Sequence, residues 1–138
     1  MKRRDFIKGS TSVCLLLGTI PFTGCINYRV VPTEVENGKL KIKKSDFLED
    51  KWVVVKTSKT NAPVFLYKEN NETYFATLMI CTHKECEVKP VGNLFHCPCH
   101  GAEFSLKGKV QKGPAETDLV TYATTTDENN IYIHVSTK

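Results

Sequence analysis

Two short boxes of cysteine and histidine carry the residues of this chain that could do chemistry. The first reads Cys81-Thr82-His83-Lys84-Glu85-Cys86. Ten residues later comes Cys97-Pro98-Cys99-His100-Gly101-Ala102. Each box places one Cys and one His where they could ligate a metal, Cys81-x-His83 and Cys97-x2-His100. Each also holds one further cysteine, Cys86 and Cys99. Thiolate and imidazole together suit zinc, copper or iron–sulfur centres. A structural zinc site of Cys2His2 type usually groups its ligands as C-x2–4-C and H-x3–5-H. Here each box contributes one of each. Zinc also needs neither the spare cysteine pair nor Pro98 and Gly101.

The pattern C-T-H-x-x-C followed by C-P-C-H-G resembles the signature of the Rieske family. There, one iron of a [2Fe–2S] cluster takes two thiolates and the other takes two imidazoles. The resemblance implies that Cys81 and Cys97 hold the buried iron and that His83 and His100 hold the outer one. It implies that Cys86 and Cys99 form a disulfide tying the two loops together. It also implies a small antiparallel all-β domain with a cluster-binding loop subdomain. In such a ligand set, two ferric ions, two sulfides and two thiolates sum to a charge near zero. Adding an electron is then easier than in an all-Cys cluster. The potential rises to roughly −150 to +300 mV, against about −400 mV for plant-type ferredoxins. Each imidazole keeps a second nitrogen whose proton affinity follows the cluster charge, which suits the coupled uptake of an electron and a proton.

Two departures from the family pattern bear on tuning and docking. High-potential members carry a Ser after the Gly of the second box and a Tyr two residues beyond it, both donating hydrogen bonds to cluster sulfurs. Here Ala102 and Phe104 stand at those positions. Lost donors to the sulfurs lower the potential, so the lower half of the Rieske range is expected. Lys84-Glu85 occupies the place where quinol-oxidising members often have an apolar residue and Gly. Charge then sits beside the outer iron, which disfavours docking into an apolar quinone pocket. Further on, Gly113-Pro114-Ala115 resembles the segment that covers the third side of the cluster in the family.

The N-terminus reads as a leader. Arg3-Arg4-Asp5-Phe6-Ile7-Lys8 resembles a twin-arginine export signal, a route that carries folded, cofactor-loaded proteins. Phe22-Thr23-Gly24-Cys25 resembles a lipobox, with Cys25 as the lipidated residue. The rival is a retained membrane segment, since Gly9 to Tyr28 is uncharged and reaches the ~20 residues needed to span. Either anchor places the domain at a membrane, outside the cytoplasm, where disulfides persist. The expected organisation is a signal and anchor over 1–25, a tether over 26–38 and a Rieske domain over 39–138.

The length of 138 residues allows one domain beyond the leader. The formal charge of +4 is mostly the leader's: Lys2, Arg3, Arg4 and Lys8 against Asp5 give +3. The remaining 15 basic and 14 acidic residues leave +1, so no basic patch points to nucleic acid.

The boxes need strands to position them. Lys39 to Lys43 alternates and reads as a half-exposed strand. Trp52 to Val55 reads as a buried one. Val64–Tyr67 and Tyr74–Ile80 flank a turn and form a hairpin that delivers the chain to Cys81. Glu87 to Phe95 forms the next hairpin, turning at Pro90–Asn93 and leading into Cys97. Phe104 to Gln111 turns at Lys107-Gly108-Lys109. Leu119–Thr124 and Ile131–Val135 are alternating strands. His96 and His134 read as surface or structural residues.

These features select a membrane-tethered electron-transfer subunit that passes one electron at a time. Its donor would be quinol, as in cytochrome bc-type complexes, or a partner oxidoreductase, as for the small Rieske subunit of arsenite oxidases. A Rieske ferredoxin serving an oxygenase is the alternative. It normally lacks the Cys86 and Cys99 equivalents and the leader. An oxygenase would need a second iron site with two His and a carboxylate, and only His96 and His134 remain for it. The chain alone offers no acid/base or nucleophilic site, so no catalysis is expected without a partner.

Overall fold

The computed structural model describes residues 28–135. Arg3, Arg4 and Cys25 lie outside them. The described chain is built of strands, with a single 3-10 turn at Lys44–Phe47. No helix among the described residues is long and apolar enough to cross a membrane.

The middle layer is a five-stranded sheet. It contains β1 (Val30–Val31), β4 (Trp52–Val55), β5 (Val64–Lys68), β6 (Tyr74–Leu78) and β11 (Thr121–Tyr122), neighbours in that order. Its run of consecutive buried residues, Val53-Val54-Val55, marks a strand covered on both faces. Side chains of a strand alternate between faces, and the two packing clusters follow that alternation. Val53, Val55, Val64 and Leu66 enter one core; Val54 and Phe65 enter the other.

The first core is closed by a four-stranded sheet of β12 (Thr124–Thr126), β13 (Asn130–Ile133), β3 (Lys39–Lys43) and β2 (Glu34–Glu36). Leu40 and Ile42 of β3 face inward, opposite Ile133 and Ile131 of β13. The second core is closed by a smaller sheet of β7 (Lys89–Val91), β8 (Leu94–His96), β9 (Glu103–Ser105) and β10 (Val110–Lys112). Phe95 of β8 meets Phe65 of β5 edge to face at 4.7 Å between ring centroids. That pair joins the small sheet to the middle one.

Two expectations change. The segment 26–38 is folded from Val30 onwards. Val30 and Val31 pair in parallel with Val54 and Val55, and Glu34–Glu36 pairs with β3. Val31 is buried, which fixes the segment to the core. The expected strand Leu119–Thr124 is also divided. Thr121–Tyr122 pairs with β6, whereas Thr124–Thr126 pairs with β13. The chain changes sheets at Ala123 and so links the middle layer to the outer one.

Candidate metal centre

Both boxes are loops between antiparallel partners, Ile80 opposite Glu87 around the first and His96 opposite Glu103 around the second, and both are closed by the same pair of hydrogen bonds. In the first, the Cys81 N–H donates to the Cys86 carbonyl at 2.8 Å and the Glu85 N–H to the Cys81 carbonyl at 3.0 Å. In the second, Cys97 N–H donates to Ala102 at 2.8 Å and Gly101 N–H to Cys97 at 2.9 Å. The residue four after each leading Cys has positive φ, 59° at Glu85 and 77° at Gly101. Glycine adopts that conformation at no steric cost. Gly101 supplies it freely; Glu85 adopts it with a side chain and projects into solvent beside His83.

On this shared turn the Cys81 and Cys97 thiols come within reach of each other, and so do the two histidine rings. The Cys81 and Cys97 thiols are free and buried at the base. The His83 and His100 rings lie above, edge to face, with centroids 4.9 Å apart. Cys86 and Cys99 form a disulfide across the two loops. The Cys97 sulfur lies within 4.8 Å of both disulfide sulfurs. Those two sulfurs are already bonded to each other, so Cys97 is the thiol of that trio left to ligate.

Burial pushes the Cys81 thiol up, while the backbone N–H groups of His83 and Lys84 pull it the other way. Nδ1 of His83 is buried with no hydrogen-bond partner. A buried ring nitrogen is rarely left unpaired in a folded protein.

A third segment completes the surroundings. Thr82, inside the first box, donates its hydroxyl to the Thr117 carbonyl at 2.7 Å. That bond holds the stretch beginning with Gly113 and Pro114 to the first loop. Gly113 and Pro114 are exposed and joined by a cis peptide, and Ala115 is buried in the same core as Cys81 and Cys97. Ala102 and Phe104 are fully buried there too. Neither side chain has a hydrogen-bond donor. Thr82 was missed at the level of sequence, since its bond spans 35 residues. His96 precedes the second box and faces Glu103, with Nδ1 3.9 Å from its carboxylate. His134 meets the Thr125 hydroxyl at 2.9 Å.

A sequence model of the family described as "Rieske [2Fe-2S] domain" matches residues 32–123. The chain belongs to the Rieske family. The cytochrome b6-f complex iron–sulfur subunit of Synechococcus sp. strain JA-2-3B'a(2-13) is 46% identical over 54 residues, 38% of this chain and 31% of that subunit. Subunit 2 of the same name from Synechocystis sp. strain PCC 6803 is 32% identical over 81 residues, 55% of this chain and 45% of that subunit. The chain thus spans less than half the length of these curated relatives. Among solved structures, the cyanobacterial plasma membrane Rieske protein PetC3 from Synechocystis PCC 6803 superposes with a TM-score of 0.56 at 39% identity. That match covers 66% of this chain and 93% of that one. A chain from the complex of reduced oxygenase and oxidized ferredoxin in carbazole 1,9a-dioxygenase, at 23% identity and a TM-score of 0.53, shares the fold.

The cofactor of a Rieske domain is a [2Fe–2S] cluster, and the residues present fit one. Two buried thiols and two imidazoles are the donor set that this cluster uses. A metal at His83 Nδ1 would give that orphaned atom its partner. A metal cation would also offset the burial that disfavours the Cys81 thiolate.

Proposed function

We propose that this chain is the electron-carrying subunit of a membrane-associated oxidoreductase, anchored on the outer side of the cytoplasmic membrane. Cys81 and Cys97 would hold one iron of the cluster, and His83 and His100 the other. When bound, the cluster takes up and returns one electron at a time. The observation that carries the reading is that two loops cross-linked by a disulfide each carry one buried free thiol and one of two facing imidazoles.

The chain's own residues hold and shield that group. The paired turns fix both cysteine backbones. The disulfide keeps the loops together, and Thr82 holds the Gly113-Pro114 segment against them. Phe104, Ala115 and Leu119 keep water from the base of the site. His100 is exposed, so a redox partner approaches from the histidine side. The relatives named as cytochrome b6-f subunits support a partner within a membrane complex. Exposed Lys84 and Glu85 beside His83 favour a partner with a polar docking surface. Arg3 and Arg4 direct export and Cys25 carries the lipid. The Cys86–Cys99 bridge speaks against the oxygenase-ferredoxin alternative.

The test uses the full chain purified from membranes. Two irons and two acid-labile sulfides per chain are expected, with an EPR signal that appears on reduction. Cys97→Ser and His100→Ala should each abolish it. A colourless, EPR-silent protein holding one metal ion would overturn the assignment. Replacing Arg3-Arg4 by Lys-Lys should leave the protein in the cytoplasm, and unchanged export would remove the twin-arginine reading.

A further inference from the structure

Leu48 is the most exposed large apolar residue of the described chain, at 70%. Its backbone is unusual as well: φ is 47° and ψ is −116°. Those angles belong to the first central position of a type II′ turn, which glycine normally fills. The turn is closed by the Asp50 N–H donating to the Phe47 carbonyl at 2.8 Å. Phe47, one residue earlier, is buried and packs against Tyr74 with ring centroids 5.5 Å apart. The turn is thus held from below by Phe47 while Leu48 points outward.

The position of this turn is informative. Asp50 pairs with Arg29 at 3.5 Å. Tyr28, Arg29, Asp50, Lys51 and Trp52 line one shallow groove. The chain therefore enters the folded domain beside the Leu48 turn. Arg29 follows Cys25 by only four positions, a reach of at most about 14 Å when fully extended. The headgroup layer of one leaflet is about 5–8 Å deep. With either anchor, a lipid at Cys25 or a retained membrane segment that ends before Tyr28, Arg29 lies at or just above the headgroups.

We infer that the Leu48 turn is a membrane-docking point, its side chain inserted at the boundary between headgroups and acyl chains. Tyr28 packs with the core that holds Cys81 and Cys97, so docking would set the orientation of the metal centre relative to the bilayer. The groove carries Arg29 and Lys51 against Asp50, with Glu49 adjacent. Its charge is balanced, so insertion depends on the apolar side chain and tolerates zwitterionic lipid.

This inference rests on the reading that the N-terminus is anchored, and its test separates the two. The full-length holoprotein carrying Leu48→Trp and Trp52→Phe is reconstituted into phosphatidylcholine vesicles with and without acyl-chain-brominated lipid. Co-flotation of protein with vesicles reports the anchor; quenching of the introduced indole, the sole one in the double variant, reports the docking. Co-flotation with about two-fold or greater quenching is expected for a side chain at the acyl boundary. Co-flotation without quenching overturns the docking and leaves the anchor standing, with Leu48 turned towards a protein partner instead. Loss of co-flotation overturns both. If the variant fails to fold, native Trp52 in the same groove is the reporter, read with headgroup-spin-labelled lipid. It should be quenched in the parent and released by Leu48→Asp; equal quenching in both overturns the docking.

Discussion

Replacing Cys86 and Cys99 together by serine should cost about 3 kcal/mol of folding stability at 25 °C. The figure follows from loop closure in the unfolded chain: the bridged residues are 13 apart in sequence, and a loop near 15 residues corresponds to about 3 kcal/mol. Little should offset it in the folded state. Cys99 is exposed and Cys86 half-buried, so serine hydroxyls there reach water and add no large desolvation cost. The double variant is the right perturbation, because a single one leaves a reactive thiol within 4.8 Å of Cys97. For a domain a little over 100 residues long, each 1 kcal/mol lowers Tm by about 4 °C. The holoprotein should melt about 12 °C lower by far-UV circular dichroism. Loss of the visible chromophore should move down with it, since metal binding and folding are coupled. A variant that keeps its colour and melts within about 3 °C of the parent would refute the reasoning. The matched turn hydrogen bonds of the two loops would then suffice without the bridge.

Ala102→Ser would place a hydroxyl in the core that holds Cys81 and Cys97, where high-potential members of the family carry serine. A new bond favouring the reduced form by about 1.4 kcal/mol raises a one-electron potential by about 60 mV, read by protein-film voltammetry. An unchanged potential with lower stability would mean that the buried hydroxyl found no acceptor. The Thr77 hydroxyl is fully buried without a partner, so Thr77→Val should stabilise the fold by about 1 kcal/mol, measured by chemical denaturation. A loss of similar size would show that the hydroxyl is paired. Asp127 accepts hydrogen bonds from the Tyr132 hydroxyl at 2.8 Å, from the Asn129 N–H at 2.8 Å and from the Asn130 N–H at 2.7 Å. These bonds, the Tyr132 one foremost, hold its carboxyl well below the usual carboxylate range. A depressed folded pKa gives stability above the ordinary value near 3.9, and that stability is lost as pH falls below it. The Tm gap between the parent and Asp127→Asn should therefore be full at pH 6 and shrink below about pH 4. A gap independent of pH would assign the effect to turn geometry alone.

Much of this was legible in the residues themselves, because the information is local. A metal box fixes its ligand types and spacings within six residues, and the hairpins that serve the boxes show as period-two runs flanked by turn formers. The run Trp52–Val55 announced a buried strand for the same reason. What distant parts of the chain decide was not legible. Val30 and Val31 looked like tether because a two-residue parallel strand has no pattern of its own; it exists through pairing with Val54 and Val55. The change of sheets at Ala123 depends on where β6 and β13 lie, which no local run encodes. Thr82 gained its role from a carbonyl 35 residues away. The sequence by itself determined the candidate donor set and the strands that carry it, since those follow from side-chain chemistry and backbone periodicity. Only the tertiary structure decided how three layers leave two thiols buried and two imidazoles at the rim, because burial belongs to the packing of all the strands together.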